Sequence, residues 1–392
     1  MKGCLRLEFF DEASLEQLKP RWDDLELRAL ATAFQSYDYV KSAIEAFSQT
    51  NGDKFKLLLL SECASDRAVF IMPFVSRLHL GVRLLEALDY YVVDYSTALL
   101  DPVLFQDSDL LDEASKLLKI GFRGHDVVLL RNQISGPTAF DHIMRRIEIP
   151  LQDQDTTYQI PLGMDVYHAY QKTCSVYKKA QKNRRRLERD FDFTIETAIT
   201  AQAIDTVLDV MFEQRAVRFQ KLGITDGLAD PRRQAFFRKL AHARCADGRA
   251  LLIGGKCGNT CVATTFAVCG SDTVTGQLCS FAEGPWHKFS PGHILTSREI
   301  DWAFENGFST YDLGAGEADY KSRFGAISKS RRSGERALTT SGQIYLTVRS
   351  AKKLAKQQLQ NSKSSGSVTS KAKGVYSESE FTASRWPLER EL

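Results

Sequence analysis

The sequence predicts a mixed α/β (α+β) chain made of two similar modules in tandem, each a mostly antiparallel sheet flanked by helices. Three observations predict it. A run of helix, helix, three-strand meander, helix and strand occurs twice along the chain, although residue identity between the halves is low. The composition is that of an ordinary globular protein, 43% hydrophobic and 26% charged. The length of 392 residues suits two domains of roughly 100–200 residues each.

In the first half, residues 4–10 read as a strand, and 13–28 and 36–48 as helices. Apolar segments at 55–61, 67–75 and 82–88 follow, parted by short polar turns as in an antiparallel meander. A helix over 108–120, closed by Gly121, leads to a strand at Asp126–Leu130 and a short helix over 138–146. The first module is expected to span 1–150, with 151–157 as a polar linker.

The second module, 151–348, opens with helices at 164–190, 200–220 and 231–246. Strands at 250–254, 261–269 and 273–281 are joined through Gly258-Asn259 and Gly270-Ser271-Asp272, and the first of these is a strong hairpin signal. Pro291-Gly292 opens a helix that stops at Asn306-Gly307, and Thr310–Leu313 reads as a buried strand. Residues 349–392 are expected to form a basic helix and then a disordered tail, because 361–373 hold almost no apolar side chains.

Composition removes several classes. The longest apolar run, Ala68–Val75, has eight residues and contains Pro73, far short of the ~20 that span a bilayer. An acid, Glu8, precedes any hydrophobic stretch at the N-terminus, so no secretory signal is expected. The eight cysteines are scattered; they show no metal-ligand spacing and read as buried free thiols of a reducing cytoplasm. The net charge of +3 argues against a nucleic-acid coat protein. That average conceals two basic segments, 172–189 and 349–373, each with a net +7, so the remainder sums to −11.

Two stretches carry the chemistry. In Phe281–Leu295 a strand ends, a loop carries Glu283, Trp286 and His287, and a helix begins at Pro291-Gly292. The N–H groups of Gly292, His293, Ile294 and Leu295 at a positive helix end would suit a phosphate or diphosphate; a plain strand-to-helix turn is the simpler reading. In Tyr311–Gly325 a strand breaks at Gly314 and Gly316, and a short helix presents Glu317, Tyr320, Lys321 and Phe324. Carboxylate, phenol and ammonium together suit acid–base or anion-binding work. The alternative is a capped helix with Glu317–Lys321 as an ion pair.

Taken in order, Pro291–Leu295, Ile300-Asp301-Trp302-Ala303, Gly307, Asp312–Glu317 and Tyr320–Gly325 resemble the GNAT-superfamily acyltransferases of the CelD-like type (cellulose and exopolysaccharide biosynthesis), relatives of the Fem-type aminoacyltransferases. The resemblance covers 160–330 strongly and 50–150 weakly. It implies tandem GNAT-like modules, with the acyl-CoA site in the second and a degenerate first module that shapes the acceptor cleft. It further implies direct attack of an amine, on a sugar or other polar metabolite, upon an acyl-CoA thioester, acetyl-CoA being the leading co-substrate, without a metal. On that reading Gly292, His293, Ile294 and Leu295 hold the coenzyme. Glu283 and Asp312 are the candidate bases or amine ligands, with a structural hydrogen bond as the alternative for each; Lys321 is an anion or oxyanion ligand, and Tyr320 a proton donor to the leaving thiolate. Tyr91, Asp94, Trp286 and Glu317 are the candidate substrate ligands; Tyr90 and Tyr95 stand beside the first two, and packing between the modules is the alternative for that cluster.

Two other readings stay open. One is an aminoacyl-tRNA-dependent Fem-like transferase acting on a cell-wall precursor, although the pattern lacks the ~60-residue coiled-coil arm common in such enzymes. The other is a non-catalytic nucleic-acid or scaffold protein; no aromatic interleaves Arg184-Arg185-Arg186, which weakens it. The segment 172–189 reads as a solvated helix face, a contact for an anionic donor or substrate, or a peripheral contact with an anionic membrane.

Overall fold

The computed structural model describes residues 4–47, 52–134, 138–316 and 318–365. In chain order the first part comprises β1 (Leu5–Phe10), α1 (Leu15–Arg28), α2 (Tyr37–Phe47), β2 (Lys54–Glu62), β3 (Ala68–His79) and β4 (Val82–Ala87). Then come β5 (Leu99–Leu100), α3 (Val103–Gln106), α4 (Ser108–Gly121), β6 (Val127–Ile134), α5 (Ala139–Arg146) and β7 (Gln152–Pro161). The second part comprises α6 (Met164–Thr173), α7 (Ser175–Phe191), β8 (Phe193–Thr197), α8 (Ala201–Leu222), α9 (Pro231–Arg244), β9 (Ala250–Cys257), β10 (Thr260–Cys269) and β11 (Thr273–Phe281). It ends with α10 (Pro291–Glu305), β12 (Thr310–Ala315), α11 (Asp319–Arg323), β13 (Ile327–Ala337) and α12 (Thr340–Ser365).

The repeated plan is realised strand for strand. β1, β2, β3 and β4 pair antiparallel in turn, and β4 pairs parallel with β6. β8, β9, β10 and β11 do the same, and β11 pairs parallel with β12. One sheet holds both sets in the order β1-β2-β3-β4-β6-β13-β7-β12-β11-β10-β9-β8. Local chemistry supports each element. The run Leu57–Leu60 is apolar on both faces because both are covered, Leu57 and Leu59 facing one core and Leu58 and Leu60 the other. Asp107 caps α4, Thr200 caps α8, and Asp230 caps α9 ahead of Pro231.

The two repeats exchange their last strands. β7, which closes the first, lies between β12 and β13, while β13, which closes the second, lies between β6 and β7. The polar segment 151–157, expected as a linker, is therefore largely strand. Backbone pairing with β13 sustains it although Gln152–Asp155 are exposed, and β12 joins on the other edge only from Thr157 onward, so apolar periodicity carried no signal there. β13 went unpredicted for the same reason.

One face of the sheet carries α1 and α2 beside α8 and α9, and these four share a core in which Tyr39 meets Phe236 edge-on at 5.2 Å. The buried guanidinium of Arg244 donates to Ser36 Oγ (2.6 Å) and to the Cys269 carbonyl (2.9 Å), bridging the halves. At Gly270 a Cβ would come within 2.6 Å of the Ala31 carbonyl oxygen, so only glycine admits this approach. The opposite face is covered by α4 and α5 in the first half and by α6, α7 and α10 in the second.

Other differences are local. The predicted 164–190 helix breaks at Cys174, whose backbone is extended. The last helix starts at Thr340 rather than 349 and runs to Ser365, beyond the expected onset of disorder; 366–392 lie outside the described residues. All eight cysteines are free thiols, but Cys4 and Cys63 are exposed and Cys261 is half-buried, so the expectation of uniformly buried thiols fails. No described helix is long and apolar enough to cross a membrane.

Because the four helices share a core and the repeats exchange strands, we expect one cooperative unfolding transition. Differential scanning calorimetry checks this; two separable transitions would contradict it.

Candidate active site

The second module opens where β11 and β12 part. Their parallel pairing covers only Thr273–Thr275 against Thr310–Asp312, after which β11 continues to Phe281 and β12 to Ala315. Two features sit at the fork. Gly276 faces Tyr311, whose hydroxyl lies 2.7 Å from where a Cβ would stand, so a larger residue would be pushed into that side chain. Next to it the β10–β11 register shifts, pairing Phe266 with Leu278 and Ala267 with Gly276, which leaves Gln277 as the extra residue of a β-bulge.

Asp312 holds the fork from the other side. It is fully buried and accepts four hydrogen bonds: from Tyr95 Oη (2.5 Å), Thr157 Oγ1 (2.6 Å), Gln159 Nε2 (3.2 Å) and the Gly314 N–H (2.7 Å). Those donors come from the first half's 88–98 loop, the exchanged strand β7 and the end of β12. A carboxylate so occupied is a fastener; its buried oxygens present no surface to an incoming amine.

Lys321 is also absorbed by the framework. Its ammonium is buried and donates to the carbonyls of Gly314 (3.0 Å), Ala315 (2.7 Å) and Gly316 (2.8 Å). Gly314 (φ 78°) and Gly316 (φ 90°) turn the chain so that these three carbonyls converge on the cation. What approaches the glycine backbone is thus the chain's own lysine. Glu317, the expected ion-pair partner, lies outside the described residues.

Asp94 is brought close to both open strands. Its Oδ2 is 3.4 Å from Gln277 Nε2 on β11 and 3.4 Å from the Ala315 N–H at the end of β12. Arg331 fixes this segment by donating to the Asp94 carbonyl (2.7 Å) while pairing with Asp155. Tyr91 stands apart, with the Arg233 guanidinium 6.0 Å from its ring centre.

At the start of α10 the Ser290 carbonyl already receives the N–H groups of His293 (3.0 Å) and Ile294 (3.3 Å), and Leu295 lies deeper in the helix. The expected set of four convergent N–H groups therefore reduces to Gly292, which packs against Cys279 and Phe281 of β11. His293 is brought together with Tyr320 (ring centroids 6.3 Å) and Phe324 (5.4 Å). Burial, reinforced by Arg323 and Lys179, lowers its pKa to about 4, so the imidazole is neutral near pH 7.

Glu283 and Trp286 fall outside this cluster. Glu283 is exposed and pairs with Lys221 (2.6 Å), which lowers its pKa; Trp286 donates to the Ala282 carbonyl (3.2 Å). No group of three or more His, Cys, Asp or Glu among the described residues is placed to hold a metal ion.

Not foreseen from the sequence are Gln277, Thr157, Gln159, Arg331 and Glu299. A glycine inside a strand is a recognised bulge signal, so Gly276 pointed toward Gln277; the others carried none. Glu299 is buried under the fork and accepts from Tyr311 Oη (2.5 Å).

The first module forks too, after Glu86 and Leu129. Its gap is filled by its own chain: the Ser96 N–H donates to the Asn132 carbonyl (2.9 Å), Asn132 Nδ2 to the Val93 carbonyl (3.2 Å) and Gln133 Nε2 to the Ser96 carbonyl (3.1 Å).

Residues 175–322 match the family described as an acetyltransferase (GNAT) domain. The second module thus has the GNAT acyltransferase fold, and the match begins at α7 and ends in α11. Among solved structures, FemX is similar over 87% of this chain and 99% of its own, with 10% identity and a TM-score of 0.56. For the DUF2156 C-terminal domain of an Agrobacterium fabrum protein described as a putative lysylphosphatidylglycerol synthetase, the shares are 85% and 95%, the identity 10% and the TM-score 0.55. For L-PGS from Bacillus licheniformis they are 85% and 96%, 9% and 0.50. At such identities the likeness is one of fold. No curated protein matches the sequence.

Burial pushes the Glu299 carboxyl up to about 7 from its ordinary 4.5. The folded chain keeps this proton over a range where the unfolded chain has lost it, so stability falls as pH rises from about 4.5 to about 7. Glu299→Gln removes that loss. Urea unfolding should show the variant gaining on the parent by on the order of 3 kcal/mol between about pH 5 and pH 8; an unchanged difference would contradict the assignment.

Proposed function

We propose that the chain is an N-acyltransferase that moves an acyl group from a coenzyme A thioester to an amine of a sugar or other polar metabolite, by direct attack between the two modules. The observation that carries this reading is the fork of β11 and β12, with a bulge at Gln277 on one arm and the α10 start at Gly292 beside it. The thioester arm enters the fork, and the Gly292 N–H with the positive helix end faces the diphosphate. Backbone N–H groups around the bulge support the oxyanion as the carbonyl becomes tetrahedral. The amine approaches from the face that carries the 88–98 loop. Asp94 takes its proton, directly or through a water, and Tyr320, stacked on neutral His293, gives one to the leaving thiolate. Catalysis is then mostly positioning, with no covalent enzyme intermediate.

A specific observation favours a second donor. Lys178, Lys179, Lys182, Arg185 and Arg186 are exposed on α7, which is fastened to the loop before α10 by Asn183 Nδ2 donating to the Phe289 carbonyl (2.9 Å). Such a cationic face suits a polyanionic carrier such as an aminoacyl-tRNA. The two readings place the acceptor on the same side of the fork; they differ in donor, and the second takes a cell-wall precursor as acceptor.

Native mass spectrometry of the full chain with acetyl-CoA and longer acyl-CoAs tests the leading reading. The expected result is one acyl-CoA per chain, because the first module's fork is filled. Asp94→Asn should keep that stoichiometry and lower kcat by about 10²-fold or more. Absence of any acyl-CoA adduct, with amino-acid transfer from charged tRNA instead, would overturn it.

A further inference from the structure

α12 carries apolar side chains on both of its sides. The side that faces the body is tightly seated. A Cβ at Gly342 would fall 2.1 Å from the Asp126 carbonyl oxygen, Leu346 packs with Val82, Leu84, Val127 and Leu129, and Arg349 pairs with Glu335 (2.6 Å). The opposite side holds Ile344, Thr347, Val348, Ala351, Leu354 and Ala355 at steps of three and four, all exposed and none charged. Ile344 is 62% exposed, Val348 50% and Leu354 60%.

The tip of the β3–β4 hairpin lies beside α12 and adds exposed apolar side chains of its own. The end of β3 holds out Leu78 (71% exposed), the turn holds out Leu80 (78%), and the His79 ring at the end of β3 meets Tyr345 of α12 edge-on at 5.9 Å. Exposed apolar side chains gathered in this way mark a partner or membrane contact. Charge decides between occupants. Lys352 is exposed at the flank of the stripe, and residues 349–373 contain seven basic residues and no acid. A second copy seated on this face would bring two such sets of cations together, whereas a surface of anionic lipid headgroups complements them.

We propose that α12 and the β3–β4 turn form a docking surface for an anionic lipid bilayer, with the apolar stripe at the headgroup boundary and the lysines over the anionic headgroups. This surface shares no residue with the acyl-transfer site, so either reading can fail without the other.

Vesicle co-sedimentation of the full chain tests it, with phosphatidylcholine alone or mixed with phosphatidylglycerol. Pelleting is expected only with the anionic vesicles and should weaken as salt rises. Ile344→Ser combined with Val348→Ser, at two exposed positions, should cut partitioning by about tenfold, and Lys352→Gln by about fivefold, with circular dichroism unchanged. Equal pelleting of the Ser variant would overturn the proposal, and so would no pelleting at all. A dimer in light scattering that the Ser variant dissolves would assign the face to a second copy instead.

Discussion

One buried carboxylate organises the centre of this molecule. Asp312 collects a phenol from the first half, a hydroxyl and an amide from the exchanged strand β7, and the N–H of Gly314 on its own strand. Removing a single donor leaves a buried anion short of a partner, which costs more than an ordinary hydrogen bond. The two halves are therefore tied at the point where β12 leaves β11, and Lys321 stiffens the strand end from the other side by gathering three carbonyls. The residues with the most reactive groups in the sequence pattern thus serve shape, and the fork opens beside them.

The duplicated topology makes the difference between the halves instructive. Both contain a parallel pair that forks after three registered positions. In the first, the chain from Val92 to Ser96 folds back on Asn132 and Gln133 and closes the fork with hydrogen bonds to its backbone. In the second, the equivalent strand is followed by a long loop and a helix start, and no backbone segment among the described residues fills the fork in the same way. The same loop that closes the first fork presents Tyr95 and Asp94 to the second. One segment therefore shuts the first fork and lines the second.

Much of this architecture was legible in the sequence, because it is written in periodicity. The meanders, the Pro291-Gly292 helix start and the repeated order follow from apolar spacing and turn chemistry. What was not legible depends on pairing across long separations. The segment Gln152–Thr157 is polar, and only its pairing with the distant strand β13 makes it a strand. A structural role for Asp312 and Lys321 was open from the sequence, but their partners were not legible, lying 217 residues away in one case and on the adjacent backbone in the other. Asp94 was legible as a polar residue in an aromatic cluster; its approach to Gln277 and Ala315 was not, since it requires both halves to be folded together.

Whether the fork in the second half alone receives the donor is tested most directly by amide hydrogen exchange of the full chain, with and without coenzyme A. Added protection is predicted along Gly276–Phe281, Gly292–Leu295 and Leu313–Ala315, with no change along Leu84–Ser96 beyond the Asp94 contact. Protection centred on the fork of β4 and β6, or no protection anywhere at saturating coenzyme, would contradict it.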